Sequence, residues 1–544
     1  MNRFLFSFLF LCLPLLGNAQ RADYRVIPLP KQITADTTRM FLLTDGMEIG
    51  YPSGNPEIER TAGFLRQYIE ETAGLNMKMT SGSRRAQIIL TIKPEKRRNA
   101  DTADGIYNGK YTIRIGKDGI ALEAPTAEGL FRAVQTLRKS LPLSKGQPVA
   151  FPCGEINDQP RFAYPGVHLD SSRHFWTVET IKTYLDLLAL HGCNQFHWHI
   201  TDDQGWRFEV KALPELAEKG SVREQTVIGR NSGVFDGQPY GGYYTQDECR
   251  EVVRYAAERY INVVPEIDLP GHMQAALHVY PDLGCTGGPY PVWQVWGVSD
   301  DVLCAGNPAT IPFLKTVLGE LCSVFPSKLI HIGGDECPKK RWKSCPKCQA
   351  RIRDLGLTDD GQHSVENQLQ TAINHEIETY LKTLGRDIIG WDEVLEGGLT
   401  EGATVMSWRG IQGGIEAARQ HHHVIMTPVD YCYIDYYQVK ENWNAPLSIG
   451  GYVPASKTYS FEPVPKELKE DEKKYILGAQ VNLWCEYIAY PPHLFYMLLP
   501  RLDAISEVQW TDPQQKDFND FRQRLRHQFQ LYDCLNVNYC KTVE

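Results

Sequence analysis

Two patterns of hydrophobic and polar positions run along this chain, and they change at Asn157-Asp158-Gln159-Pro160, which reads as a linker. Before it, from Tyr24 to Pro152, the pattern is mixed. Pro56 to Thr72 places apolar residues at helical spacing. Gln87 to Ile92 and Tyr111 to Ile115 read as strands, with Gly116-Lys117-Asp118-Gly119 as a hairpin turn into Ile120-Ala121-Leu122. Thr126 to Leu141 reads as an amphipathic helix with Thr126 at its N-cap. These elements predict a small α+β accessory domain over residues 20–157.

From Tyr164 short apolar runs alternate with helical stretches. The runs are Pro165 to Asp170, Cys193 to Ile200, Asn262 to Asp268, Lys328 to Ile332, Arg386 to Trp391, Ala403 to Trp408, His423 to Thr427 and Ile476 to Trp484. Helical patterns lie between most of them, as at Val178 to His191, Thr245 to Arg259, Ile311 to Phe325 and Val365 to Leu384. This alternation predicts an α/β fold, a (β/α)8 TIM barrel over residues 158–512, followed by a helical tail over 513–544. Polar residues gather at the C-terminal end of each run, where such barrels build active sites. They are Asp170 and Arg173; Asp202 and Asp203; Glu266, Asp268 and His272; Asp335 and Glu336; Trp391 and Asp392; Trp408; Tyr433 and Asp435; Trp484 and Glu486.

The fourth run ends in Gly333-Gly334-Asp335-Glu336. Glycine lacks a Cβ, so these two positions leave space for a ligand and admit dihedrals closed to other residues. Two carboxyls at a strand end can have their pKa values pushed apart by their surroundings. One can then protonate an atom while the other stabilises charge at the same pH.

Composition adds three constraints. The chain of 544 residues is 42% hydrophobic and 23% charged, enough for a barrel plus an accessory domain. Its net charge of −9 offers no basic footprint, so no nucleic-acid partner is expected. Its 11 Trp, 27 Tyr and 20 Phe supply faces on which sugars pack, although most aromatics serve cores. Arg3, the apolar stretch Phe4 to Leu16 and Gly17-Asn18-Ala19 read as a signal peptide over residues 1–19, so export to the periplasm or beyond is expected. No later stretch is long and apolar enough to predict a membrane span. Export permits disulfides, and Cys285–Cys304 is the expected bridge, with Cys534 and Cys540 as a possible staple of the tail. Cys193 and Cys322 read as buried thiols. Cys345-x-x-Cys348 is half of a zinc motif whose second pair is missing, so neither a metal nor another cofactor is expected.

The chain resembles the β-N-acetylhexosaminidases of glycoside hydrolase family 20. The matching text is Leu169 to Phe175, Phe196 to Arg207, Val264 to His272, Ile330 to Glu336, Gly390 to Glu393, Ser407 to Gly410, Tyr433 to Asp435 and Leu483 to Glu486. The likeness runs from Tyr24 to Trp510 and includes the family's accessory domain. It implies an exo-acting retaining hydrolase that releases terminal non-reducing β-linked N-acetylhexosamine from a glycan. In that family the substrate's acetamido oxygen attacks the anomeric carbon and forms an oxazolinium intermediate. The resemblance makes Glu336 the general acid and later the base. It makes Asp335 the partner of the acetamido N–H and Tyr433 the donor to the acetamido oxygen. Trp391, Trp408 and Trp484 would cage the acetamido methyl and sugar face. Arg173 would hold two vicinal hydroxyls, and Asp435 and Glu486 would accept hydroxyls on the far side of the ring. Asp202 and His272 either touch the sugar or hold the acid pair in place.

Other readings remain at this level. A disaccharide-releasing or 6-sulfo-GlcNAc-specific member of the family has the same motifs. A metal hydrolase is suggested by His197-x-His199 with Asp202-Asp203, although the further His or Lys ligands such a barrel needs are not evident. An inactive sugar-binding protein is opposed by the intact Asp335, Glu336 and Tyr433. His421-His422-His423 reads as a polar loop, and Trp293 and Trp296 either stack on a leaving-group sugar or pack their own loop.

Overall fold

The computed structural model describes residues 19–95, 106 and 108–544. The expected signal peptide, apart from Ala19, lies outside them. The chain forms two compact units.

The first unit holds residues 19–163 and 509–538. Its mixed sheet has Val149–Asp158 near one side, antiparallel to both Gln32–Leu43 and Tyr111–Gly116. The predicted hairpin is present: Tyr111–Gly116 pairs with Gly119–Ala124. Helices Pro56–Ala73 and Ala127–Ser140 bring Ile58, Leu65, Ile69, Leu130, Val134 and Leu137 into one apolar core with sheet residues Ile88, Leu90, Ile113 and Leu122. Thr126 caps the second helix by accepting from the Gly129 N–H at 3.1 Å, as its sequence predicts. The helix Phe518–Cys534 belongs to this unit.

The second unit is the barrel. Its eight parallel strands are β1 (Tyr164–Asp170), β2 (Gln195–His199), β3 (Asn262–Glu266), β4 (Leu329–His331), β5 (Asp387–Trp391), β6 (Thr404–Ser407), β7 (Val424–Met426) and β8 (Ile476–Val481). They pair in chain order, and β8 closes on β1. Apart from β1, the strands are shorter than the apolar runs that predict them. The ends of those runs, such as Ile267-Asp268 and Asn482 to Trp484, belong to the loops that carry the site. The helices Val178–Leu190, Gln246–Ala257, Thr310–Val324 and Val365–Thr383 lie within a few residues of their predicted limits. Thr245 and Glu248 form a capping box at the second of them, which fixes its start.

The barrel interior departs from the usual packing of branched aliphatic side chains. His168, His197, His199, Glu266, His331 and Gln480 are all fully buried. His197 and His331 each place a ring nitrogen 3.0 Å from Glu266, and His199 joins them with a short bond. Burial works against the Glu266 charge, but the three imidazoles hold its carboxyl well below the usual range. Burial likewise opposes a charge on His199, and the Glu266 carboxylate overcomes it, raising the imidazole to about 10. A histidine–carboxylate ion pair therefore sits inside the barrel just below the site.

One buried acid of the first unit generates a prediction. Burial raises Asp158 to about 6, against hydrogen bonds from the Tyr111 hydroxyl at 2.8 Å and the Lys31 N–H at 3.1 Å. Between about pH 4 and pH 6 the folded state keeps a proton that the unfolded chain has lost, so this group's contribution to stability falls as pH rises. Asp158→Asn should remove that loss. Denaturant melts should show its advantage over wild type growing from pH 4.5 to 7, to about 3 kcal/mol at most. A pH-independent difference would place the buried proton elsewhere.

Candidate active site

Every sequence-predicted site residue lies at or just beyond the C-terminal end of a barrel strand. Asp202 is the hub. It follows β2, is 1% exposed, and faces three cationic groups. Its Oδ2 lies 2.8 Å from His199 Nε2 and 2.8 Å from Arg173 Nη2, and its Oδ1 lies 3.1 Å from His272 Nδ1. Burial alone would raise this carboxyl, yet Arg173 and His272 drive it far below the usual range. His272 is raised in turn: burial disfavours its charge, and Asp202 more than offsets that. The side chain is thus an imidazolium whose Nε2 faces Glu336 Oε2 at 3.7 Å and Asp335 Oδ2 at 3.9 Å.

Asp335 and Glu336 occupy different environments. The Asp335 side chain is 12% exposed and the Glu336 side chain 42%. Glu336 is held below its usual range, first by the His272 imidazolium beside it and against burial. Burial raises Asp335; the His272 charge opposes that, and Glu336 reinforces it. Asp335 also pairs with Asp268, whose carboxyl is pushed well up by burial and by the Asp335 charge. Asp268 is raised the further of the two, so a proton shared by the pair favours Asp268. Its Oδ1 also accepts the Gly334 N–H at 3.0 Å, which anchors the turn before the acids. Asp335 Oδ1 is buried with no hydrogen-bond partner among the described residues.

An aromatic wall completes this side. Trp391 is 1% exposed and donates Nε1–H to Glu266 at 2.9 Å. Trp484 lies 5.8 Å from it, centroid to centroid. Trp408 donates Nε1–H to Glu393 at 2.9 Å and stacks on Tyr433 at 5.9 Å. Burial, and then the Asp335 charge, keep the Tyr433 hydroxyl protonated. The three tryptophans are thus oriented by hydrogen bonds or ring contacts at three different strand ends.

Arg173 is buried rather than a surface ion-pair partner. Its Nε donates to Gln204 at 2.9 Å, and Nη1 lies 3.2 Å from Asp170 and 4.0 Å from Glu486. Its guanidinium sits 5.1 Å above the Trp484 ring. Asp435 is 3% exposed, and its Oδ1 is a second buried acceptor without a hydrogen-bond partner among the described residues. Burial, then Glu486, raises its carboxyl.

Several residues carry more of the site than their sequence signal announces. Asp268 stands in Pro265-Glu266-Ile267-Asp268-Leu269-Pro270-Gly271-His272, a stretch in which the family resemblance assigns a role to His272 alone. Glu266, His199 and Glu393 each orient an assigned residue. Burial raises Glu393 to about 8, with the Asp335 charge next in effect. His197 and His199, the motif behind the metal-hydrolase reading, both turn to Glu266. Both are 0% exposed, so a substrate does not reach them. His421 to His423 do form a loop, with His421 stacked on Tyr475. Trp296 packs its own loop against His174, Tyr487 and Arg223.

The cysteine expectations need correction. All thirteen described cysteines are free. Cys285 and Cys304 do not pair exclusively but meet Cys345 and Cys348. Cys534 Sγ faces the Glu71 carbonyl and Cys540 Sγ the Tyr496 hydroxyl, so they do not staple the tail. Cys193 is buried as expected, whereas Cys322 is half-buried.

Comparison with known proteins agrees with this geometry. Residues 162–513 match the glycosyl hydrolase family 20 catalytic domain, and residues 23–159 match domain 2 of the same family. The chain belongs to glycosyl hydrolase family 20. A β-hexosaminidase of Porphyromonas gingivalis is 40% identical over 521 residues, covering 94% of this chain; the chain spans 64% of that protein's length. The Streptomyces plicatus N-acetyl-β-hexosaminidase, solved with Thio-NAglucal, superposes with a TM-score of 0.80 at 29% identity, covering 95% of this chain and 96% of that one. The Vibrio harveyi exo β-N-acetylglucosaminidase, solved with N-acetylglucosamine, gives 0.81 at 30% identity, covering 96% and 79%. The catalytic domain is accordingly an enzyme domain of the β-N-acetylhexosaminidase class.

Gly333 sets the turn that presents both acids. Its φ is +63°, and a Cβ there would lie 1.8 Å from Asp268 Oδ1. Gly333→Ala should therefore displace the Asp268–Asp335 pair and lower kcat/KM by about 100-fold, with the circular dichroism spectrum retained. Near wild-type turnover would show that the pair tolerates the shift.

Proposed function

We propose that this protein is an exo-acting retaining β-N-acetylhexosaminidase that uses the acetamido group of its substrate as the nucleophile. The observation that carries this reading is the setting of Asp335. Its Oδ1 is buried and has no hydrogen-bond partner among the described residues, its charge acts on the Tyr433 hydroxyl, and Trp391, Trp408 and Trp484 pack together in the same region. An acetamido group suits that environment: its N–H meets a carboxylate, its oxygen a phenol, and its methyl group indole faces. The terminal sugar would come from GlcNAc or GalNAc, with Arg173 on its vicinal hydroxyls and Asp435 and Glu486 across the ring. The second unpartnered acceptor, Asp435 Oδ1, favours that placement.

In the first step the acetamido oxygen attacks the anomeric carbon. Glu336 gives its proton to the departing glycosidic oxygen, and the bond to the leaving group breaks. Asp335 stays anionic because the shared proton favours Asp268. It offsets the positive charge that spreads over the acetamido nitrogen of the oxazolinium. In the second step Glu336, now ionised, takes a proton from water, which opens the ring at the anomeric carbon with net retention. In the free protein His272 favours the ionised form of Glu336. A sugar over the site would strip water from that carboxyl and raise its pKa toward the protonated form the first step needs. The N-terminal segment Arg3 to Ala19 supports activity outside the cytoplasm, in the periplasm or beyond.

The decisive experiment pairs two leaving groups. Glu336→Gln should lower kcat/KM for a disaccharide by about 10²–10⁴-fold, and far less for a dinitrophenyl glycoside that departs without a proton. Equal losses on both would remove Glu336 from the acid role. A thiazoline mimic of the intermediate should inhibit competitively; failure to bind at millimolar concentration would sink the acetamido mechanism. The histidine gives a separate pH test. His272→Asn removes the imidazolium that favours ionised Glu336, so the alkaline limb of kcat/KM should move to higher pH. An unmoved limb would assign that titration to another group.

A further inference from the structure

Four cysteines converge outside the active site. Cys285 and Cys304 lie on the long connection after β3, and Cys345 and Cys348 on the connection after β4. Their sulfurs all lie within 4.8 Å of one another. Cys304 Sγ is 3.6 Å from Cys348 and 3.7 Å from Cys345, and Cys285 Sγ is 3.8 Å from Cys348. Four thiolates at about 2.3 Å from a zinc ion at the centre of a tetrahedron stand about 3.8 Å apart. A disulfide needs about 2.05 Å, and two disulfides would give each sulfur a single near partner. Here Cys304 and Cys348 each have two.

The surroundings are built for negative sulfur. The Gly306 amide donates to the sulfurs of both Cys304 and Cys348. A Cβ at Gly306 would lie 2.1 Å from the Lys347 carbonyl carbon, so only glycine lets the two loops approach this closely. Cys345 is the N-cap of the helix Pro346–Asp354, and Cys348 lies in its first turn, at the positive end of the helix dipole. Cys304, Cys345 and Cys348 are buried, and Cys285 is half-buried.

We propose that Cys285, Cys304, Cys345 and Cys348 form a structural zinc(II) site. All four positions would be filled by protein, so the ion has no open coordination for chemistry. Binding converts four thiols to thiolates and releases four protons, with no change of oxidation state. The ion cross-links the loop that carries His272 to the loop that carries Asp335 and Glu336. Around it, Trp342 Nε1–H donates to the Leu303 carbonyl at 2.9 Å and Arg341 pairs with Asp301 at 2.7 Å. The site is independent of the glycosidase reading and stands or falls without it.

The test uses the full chain, purified without added metal. Elemental analysis should find about one zinc per chain, and exchange with cobalt(II) should give the intense visible bands of a tetrahedral tetrathiolate. Cys345→Ser with Cys348→Ser should lose the zinc, lower the melting temperature by several degrees and abolish those bands. Should that variant fail to fold, zinc content and the cobalt spectrum of wild type still decide. Non-reducing peptide maps that link any two of the four cysteines would overturn the proposal. So would four titratable thiols without zinc, or iron in place of zinc.

Discussion

The site depends on one carboxylate that three cations share. Asp202 holds Arg173 and His199 through Oδ2, both at 2.8 Å, and His272 through Oδ1 at 3.1 Å. Through His199 it is joined to Glu266 inside the barrel, and through His272 to the acid pair at its rim. Removing water from this many charges is expensive, and the cost is met only because every charge faces an opposite one. The same pairing fixes the rotamers of Arg173 and His272 before a ligand arrives. Positions held in advance need no reorganisation during the reaction.

The backbone bears the complementary strain. Glu336 and His272 are non-glycine residues at positive φ, 41° and 50°. Such dihedrals cost on the order of 1–3 kcal/mol each and persist only where surrounding contacts over-determine them. Both residues follow directly on fixed elements: Gly333-Gly334 with the Asp268 contact in one case, and the turn Leu269-Pro270-Gly271 in the other. The side chains of these two residues face each other, His272 Nε2 to Glu336 Oε2 at 3.7 Å. The zinc site would brace the outer parts of the same two connections.

The barrel and its accessory domain were legible because hydrophobic patterning repeats at two clear periods. Helix starts were legible where capping residues mark them, as at Thr126 and Thr245. Strand ends were less so. Apolar residues continue past β3 and β8 because the loops that carry Asp268 and Trp484 are themselves buried. The role of Asp268 stayed hidden for a related reason. A carboxyl that keeps another ionised has no motif of its own, only proximity. Sequence distance favours Cys285 with Cys304 as a pair, while the fold places Cys345 and Cys348 against both.

The sequence by itself determined the order of elements, the family and the strand ends at which chemistry is built. Those follow from periodicity and from short contiguous motifs, which are local properties of the chain. The tertiary structure alone decided which of two neighbouring carboxyls is raised further, which cation favours ionised Glu336, and that four separated cysteines meet. Each of these depends on burial and on distances of a few ångströms between residues remote in sequence. Coulomb and desolvation terms act over such distances in space, and the chain's linear order does not encode them.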